Sequence, residues 1–318
     1  MGGAKSALIF GASGFVGGHL ARELKSHGYC VFGSDRSAPS SNSPLDGYRS
    51  CDISDAAGVM RVVGEFRPSM IVDLAAISSV GQSWHMPQMT MQVNVVGALN
   101  VMEAARSMEP MPRVLLVGSS EEYAPKATPL VEGDPTVSNN PYGISKATQE
   151  RFAALYLERY GLEVCLTRSF NHTGPGQAPG FVLPSWCRQV AEVERSGKPG
   201  KMTVGNLEVA RDFSDVRDVV RAYRLILENG HPGEAYNVGS GRALPLRGLL
   251  ATVTGFCSQP IEVCVDSSLI RPADTPSISC DYSKLHRELG WEPVRKIEDT
   301  LRELYEGYLT CNEGCRGF

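Results

Sequence analysis

The sequence predicts an α/β fold in which a doubly wound parallel sheet carries a smaller C-terminal lobe. Three observations predict it. Short β-rich runs alternate with helical stretches through the first half of the chain, the texture of a parallel sheet covered on both faces. A glycine-spaced turn, GASGFVG at 11–17, separates the first such run from the first helical stretch. After Ser169 the alternation stops, and Gly174, Pro175, Gly176, Pro179 and Gly180 crowd together where a second lobe should begin.

Taken in order, Ser6 to Phe10 reads as a strand, Val16 to Ser26 as a helix and Tyr29 to Ser34 as a strand. Ala56 to Phe66 reads as a helix and Met70 to Leu74 as the next strand. A long, regularly apolar helix over Met89 to Ser107 leads to a strand at Arg113 to Gly118. Pro141 suits the first turn of a helix and opens another long one, reaching Tyr160, before the strand Val164 to Ser169. There is no internal repeat, and the tail after Leu309, with Cys311 and Cys315, reads as a frayed end.

A chain of 318 residues has room for two domains, or for one large α/β unit with a smaller lobe. Hydrophobic residues at 42% and charged ones at 21% exclude a disordered, collagenous or coiled-coil protein. The net charge of −4 provides no basic field for nucleic acid or anionic lipid. No apolar run approaches the roughly 20 residues of a membrane span, and no charged-then-apolar leader precedes the first strand, so a cytoplasmic protein is expected. Gly2 and Ser6 fit the myristoylation pattern only as loosely as any small-residue start. The nine cysteines form no C-x-x-C pair and the six histidines no paired spacing, so no metal site is expected.

Glycines spaced as Gly11, Gly14 and Gly17 permit a tight turn, let a pyrophosphate approach the backbone and let the helix pack close to the sheet. Strand before and helix after are the context that this fingerprint requires, and they make the sheet a Rossmann-type dinucleotide site. Gly11, Ser13, Gly14, Phe15 and Val16 are its expected contacts. Asp35 lies 18 residues past Gly17, where a carboxylate accepts from the adenosine ribose and repels a 2′-phosphate, which favours NAD. Arg36 follows at once and leaves NADP open. Asp52 and Ile53 could flank the adenine, although an Asp before a helix is as often a plain N-cap.

Tyr142 and Lys146 stand four residues apart on one helical face, which puts an ammonium beside a phenol. Such a neighbour lowers a phenol from about 10 towards the range of a general acid or base. Ser119, at a strand end 23 residues before Tyr142, offers a hydroxyl to hold a substrate oxygen.

With these pieces, and with LAA at 74–76, NVVGALN at 94–100, SSEEY at 119–123, YGISK at 142–146 and RDFSDVRDVV at 211–220, nearly the whole chain resembles the extended short-chain dehydrogenase/reductase family. The resemblance implies that Ser119, Tyr142 and Lys146 form the catalytic set, with Lys146 also holding the nicotinamide ribose. It adds Leu74, Ala75, Ala76, Asn94, Tyr142, Phe170 and His172 to the cofactor contacts, His172 as a loop residue near the nicotinamide. The family's usual His before LAA is Asp73 here, a departure that touches a structural detail.

SFNHTGPGQ at 169–177, VGNLEVARDF at 204–213, GEAYNVGSG at 233–241, RPAD at 271–274 and LGWEP at 289–293 look like the nucleotide-sugar members, among them GDP-4-keto-6-deoxymannose reductases. By that resemblance Asn171, Arg211 and Arg271 bind the diphosphate or nucleoside, a task that suits the planar fork of arginine. Ser79, Ser120, Val182, Asn206 and Asp274 complete the substrate set. The division implied is a dinucleotide-binding unit over 1–167, rejoined by 215–227, and a substrate lobe over 168–214 and 228–318.

Glu121 opens an alternative. In the 4,6-dehydratases of the family a strand-end Thr is followed two residues later by a Glu that removes the C5 proton, and Ser119 and Glu121 occupy those positions. NHTGPGQ looks like the reductase form, and Glu122 next door suggests a polar loop in which a glutamate is unremarkable. The preferred reading is therefore reduction of the C4 ketone of a GDP-linked 4-keto-6-deoxyhexose with NAD(P)H. A GDP-mannose 4,6-dehydratase with recycled cofactor is the first alternative, and a non-catalytic dinucleotide-binding protein is the second. A homodimer, paired through the helices around 94–107 and 141–160, is implied by resemblance alone.

Overall fold

The structure, a computed structural model, describes residues 5–270 and 275–310. Apolar runs bounded by turns form its strands: β1 (Ser6–Phe10), β2 (Cys30–Asp35), β3 (Gly47–Ser50), β4 (Met70–Asp73), β5 (Arg113–Ser119) and β6 (Val164–Ser169). Between them lie α1 (Phe15–Ser26), α2 (Ala56–Phe66), α3 (Val80–His85), α4 (Pro87–Met91), α5 (Gly97–Arg106) and α6 (Pro141–Tyr160). The second half adds β7 (Asn171–Thr173), α7 (Val182–Ser196), β8 (Gly200–Val204), β9 (Ala210–Asp215), α8 (Val216–Asn229), β10 (Ala235–Val238) and β11 (Ala243–Pro245). It ends with α9 (Leu246–Thr254), β12 (Ile261–Val265), β13 (Ser277–Ile278), α10 (Ser283–Leu289) and α11 (Ile297–Thr310).

Seven parallel strands make the main sheet in the order β10-β6-β5-β4-β1-β2-β3. The order reverses between β1 and β4, and open parallel sheets take their ligands beyond the strand ends at such a reversal. Leu20 and Leu24 of α1 pack with Val219, Tyr223 and Ile226 of α8 on one face. On the other, Val59 of α2, Val101 and Met102 of α5 and Ala153 of α6 bury the sheet. A separate core joins α7, α9 and α11 to the β8–β12 pair, through Trp186, Val190, Leu250, Leu301 and Met202.

Three expectations need correction. The helix expected over Met89 to Ser107 is interrupted by a π-helical turn at Gln92–Val96, so α4 and α5 are two pieces. β3 and α3 were not foreseen, because β3 is a short, half-exposed edge strand and α3 a six-residue helix, too brief for periodicity to register. The segment 228–318 is not confined to the second lobe: AYNV at 235–238 is buried throughout and becomes the seventh strand beside β6. Its crossover is α8, which lies back on the sheet, as a right-handed parallel connection demands.

Candidate active site

At the glycine turn the chain is open by construction. Gly11 has φ 81°, and a Cβ on Gly17 would stand 2.5 Å from the Gly11 carbonyl oxygen, so neither position accepts a side chain. The N-cap of α1 is Gly14, which supplies no side-chain oxygen, and the first-turn N–H groups are left to an external acceptor. The loop Leu74–Ala76 closes on this turn, since a Cβ on Gly11 would meet the Ala75 nitrogen at 2.9 Å. Phe15 stacks on His172 with ring centroids 6.4 Å apart, and Val16 is half-buried beside it. This cradle fits a dinucleotide diphosphate.

Asp35 ends β2 facing the turn: its Oδ2 accepts the Ser13 N–H at 3.1 Å and its Oδ1 the Arg36 N–H at 2.7 Å. Ser13 is thus placed by the carboxylate proposed to read the ribose, and its own hydroxyl donates to the Ser37 carbonyl. Arg36 is exposed. The Asp52 carboxylate is held below its usual range by the hydroxyl and N–H of Ser54, while the cap of α2 is Asp55. Ile53 is buried, and a Cβ on Gly97 would meet it at 2.8 Å.

β5 ends at Ser119, and a single 3-10 turn, Ser120–Glu122, follows. Its capping is reciprocal: the Ser119 Oγ accepts the Glu121 N–H at 3.2 Å, while Glu122 Oε1 accepts the Ser119 N–H at 2.7 Å. Asn140 caps α6 through the Gly143 N–H at 2.9 Å, and Pro141 follows at the first helical position, which starts the helix beside this turn. Tyr142 and Lys146 are both buried on its inner face. The Tyr142 phenol lies within hydrogen-bonding reach of the Ser119 hydroxyl.

The lowered phenol expected from Lys146 is not what the structure shows. Burial pushes Tyr142 up; the Ser119 hydrogen bond opposes this, and Glu122 and Glu121 add to it. The Lys146 ammonium turns instead to the Val117 carbonyl at 2.7 Å and to Gln149 at 3.3 Å. Burial lowers it in turn, against Asp73 and Glu122. Asp73 is more than a structural detail: fully buried at the end of β4, it is pushed up to about 6 by desolvation, with Lys146 opposing.

Two residues assigned to the cofactor by resemblance are occupied by the protein. Asn94, in the π turn, accepts from the Ile77 N–H at 2.8 Å and donates to the Ser145 hydroxyl at 2.8 Å and the Ile77 carbonyl at 3.2 Å. It braces the post-β4 loop against α6. Phe170 is a core side chain packed with Tyr123, Leu130 and Cys280. His172 is anchored through Nδ1 to the Phe170 carbonyl at 2.9 Å, and burial lowers its pKa.

Across the cleft, Asn171 is exposed on β7, and Arg211 on β9 donates to the carbonyls of Ala210 and Thr275. Asn206 accepts the Glu208 N–H, and Ser79 caps α3 through the Gln82 N–H. Val182 opens α7 and is partly exposed. Ser120 and Glu121 line a cavity of about 30 Å³ with Lys126, Asn139 and Thr275, and Glu121 Oε2 accepts from Asn140 Nδ2 at 2.9 Å. Arg271 and Asp274, like Gly2, Cys311 and Cys315, lie outside the described residues.

Sequence reasoning missed Glu122. It is fully buried rather than part of a polar loop, and the spacing Ser-x-x-Glu over 119–122 was the signal that could have found it.

The parallel sheet, the uncapped glycine turn, and buried Ser119 at the end of β5 beside Tyr142 and Lys146 of α6 define a dinucleotide-dependent oxidoreductase of the extended short-chain type. A family model for GDP-mannose 4,6 dehydratase matches residues 8–304, and the chain belongs to that family of NAD(P)-dependent sugar-nucleotide enzymes. It is 31% identical over 240 residues to GDP-6-deoxy-D-mannose reductase of Pseudomonas aeruginosa, covering 74% of this chain and 79% of that one. A GDP-mannose 4,6-dehydratase of Yersinia enterocolitica is 27% identical over 351 residues, covering 96% and 94%. Among solved structures, RMD from Pseudomonas aeruginosa complexed with NADPH superposes with a TM-score of 0.83 at 27% identity, covering 96% of this chain and 99% of that one.

Proposed function

We propose that this protein reduces the C4 ketone of a GDP-4-keto-6-deoxyhexose. The observation that carries the reading is the Ser119–Tyr142 pair beside Lys146, with Ser119 at the end of β5, two strands from the β1 that carries the dinucleotide cradle, and Tyr142 and Lys146 on α6. NAD(P)H supplies the hydride. Ser119 accepts the Glu121 N–H, and its own hydrogen serves as a donor to the Tyr142 phenol and, with substrate bound, to the ketone oxygen. Tyr142, held protonated by burial, is then the acid that protonates the emerging alkoxide. Lys146, two of whose donors go to Val117 and Gln149, keeps a third N–H for the nicotinamide ribose. Asn171 and Arg211, with Arg271 from beyond the described residues, take the diphosphate and nucleoside.

Asp35 at the ribose position supports NAD, whereas the exposed Arg36 and the NADPH bound by the Pseudomonas neighbour support NADP. Trp84, Met89, Ile144 and Leu155, all exposed on α3, α4 and α6, support a homodimer through that face. No helix among the described residues is long and apolar enough to cross a membrane, and a cytoplasmic enzyme fits the cysteines that are unpaired among the described residues.

A second reading, 4,6-dehydration of GDP-mannose with Glu121 as the C5 base, is favoured by the place of Glu121 at the small cavity. Its engagement by Asn140 favours the reductase. One assay separates them. The purified protein should oxidise NAD(P)H with a GDP-4-keto-6-deoxyhexose and leave GDP-mannose alone untouched. Keto-sugar formation from GDP-mannose without net cofactor turnover would transfer the assignment to the dehydratase.

A further inference from the structure

A capping-box glutamate ordinarily sits at a helix surface as a solvated carboxylate. Glu122 does not. Its side chain is fully buried, and Gly118 makes the room for it: a Cβ there would stand 2.3 Å from Glu122 Oε1. Oε1 accepts the Ser119 N–H at 2.7 Å. Oε2 has no donor among the described residues; the Arg168 Nε nearest it is 3.9 Å away and already donates to Glu150 at 3.0 Å. That same Arg168 Nε, 3.0 Å from Glu150 Oε2 and 3.9 Å from Glu122 Oε2, brings the Glu150 carboxyl against Glu122 as another acceptor. Two carboxylates cannot satisfy each other; a carboxylic acid and a carboxylate can.

The other neighbours decide which one keeps the proton. Arg168 forks onto Glu150 through Nε and Nη2, so Glu150 is the ionised partner. The remaining charged and titratable groups around Glu122 are Lys146 and Tyr142 on α6, and Glu121 and Tyr123 in its own turn. Desolvation and Glu150 both raise Glu122.

We propose that Glu122 is a positioning residue for the Ser119 hydroxyl, a carboxylic acid that accepts the Ser119 N–H through one oxygen and donates its proton to Glu150 through the other. Neutrality is the useful property. A carboxylate here would fix Ser119 equally well but would add negative charge behind Tyr142 and disfavour the loss of its proton. The acid holds the serine without that field, and the Arg168–Glu150 pair holds the acid. This rests on the proposed role of Ser119 and extends it to a second, buried layer.

The test compares the parent with Glu122→Gln and Glu122→Met. The first measurement needs no substrate: the infrared difference spectrum of parent minus Glu122→Gln near neutral pH should carry the C=O stretch of a protonated carboxyl. Its absence would overturn the proposal. The second is turnover of a GDP-4-keto-6-deoxyhexose with NAD(P)H. Glu122→Gln keeps an acceptor for Ser119 and a donor for Glu150, and should retain kcat within about threefold of the parent, whereas Glu122→Met should lose roughly tenfold or more in kcat with KM little changed. Equal losses in both variants, or none in either, would sink it. Should Glu122→Met fail to fold, Glu122→Gln and the infrared band decide. A parent inactive on the keto sugar would defeat the proposed function and leave the infrared result to judge Glu122.

Discussion

The two turns that frame the cleft, one after β1 and one after β5, solve opposite problems with the same local geometry. Both run from the end of a parallel strand into the start of a helical turn. At Gly14 the chain offers no side-chain cap, and the first-turn donors of α1 remain available to a phosphate. At Ser119 each capping group is paired with another: hydroxyl with the Glu121 N–H, N–H with Glu122, and Glu122 with Glu150. The open turn binds because its donors are unspent. The closed turn positions because the N–H groups of Ser119 and Glu121 are already engaged, leaving the Ser119 hydroxyl hydrogen to face Tyr142.

The sharpest way to break this comparison is Tyr142→Phe. Removing the phenol takes the acid from the closed turn, and kcat should fall by at least about 100-fold while the dinucleotide Kd stays within about twofold. Undiminished turnover would deny the closed turn any part in the chemistry. Gly17→Ala probes the other side. Its Cβ would press on backbone atoms of Gly11 and Ala12 at 2.5–2.8 Å, which cannot swing aside. An overpacking cost of about 1–3 kcal/mol should weaken dinucleotide binding by roughly tenfold or more, as measured by fluorescence titration. The Glu122 infrared band should be unchanged, because β4 stands between β1 and β5 in the sheet.

These turns also differ in how plainly the sequence announces them. Glycine spacing marks the open one because the absence of side chains is itself the function, and a parallel sheet supplies the context. Tyr142, Lys146 and Ser119 were visible as reactive types at strand and helix ends. What lay behind them was hidden: Glu122 and Glu150 are charged residues in a sequence, and only the fold reveals that one is fully buried beside the other. The expected ammonium–phenol pairing failed for a similar reason. Helical spacing puts Lys146 and Tyr142 on one face but does not say that Val117 presents a carbonyl to the ammonium from β5. β10 escaped because AYNV is too short to register as a strand until α8 returns the chain to the sheet.

Asp73 offers a third strand end, at β4, intermediate between the two designs. It closes its own turn by accepting the Ala75 N–H at 3.0 Å, yet no second carboxyl shares its proton. Its folded value of about 6 lies above the 3.8 of an ordinary Asp, so between those two values the native protein binds a proton that the unfolded chain has lost. Stability contributed by Asp73 is therefore present below about pH 4 and declines as pH rises towards 6, where the buried group ionises beside Lys146. Asp73→Asn keeps an acceptor for Ala75 and removes the ionisation. The variant should be more stable than the parent by roughly 1–3 kcal/mol near neutral pH, with the advantage vanishing below about pH 4, in urea melts across that range. A variant less stable than the parent at neutral pH would mean that the Asp73–Lys146 attraction exceeds the desolvation penalty. The end of β4 would then be held by an ion pair, and the neutral acid beneath Ser119 would be particular to the turn after β5.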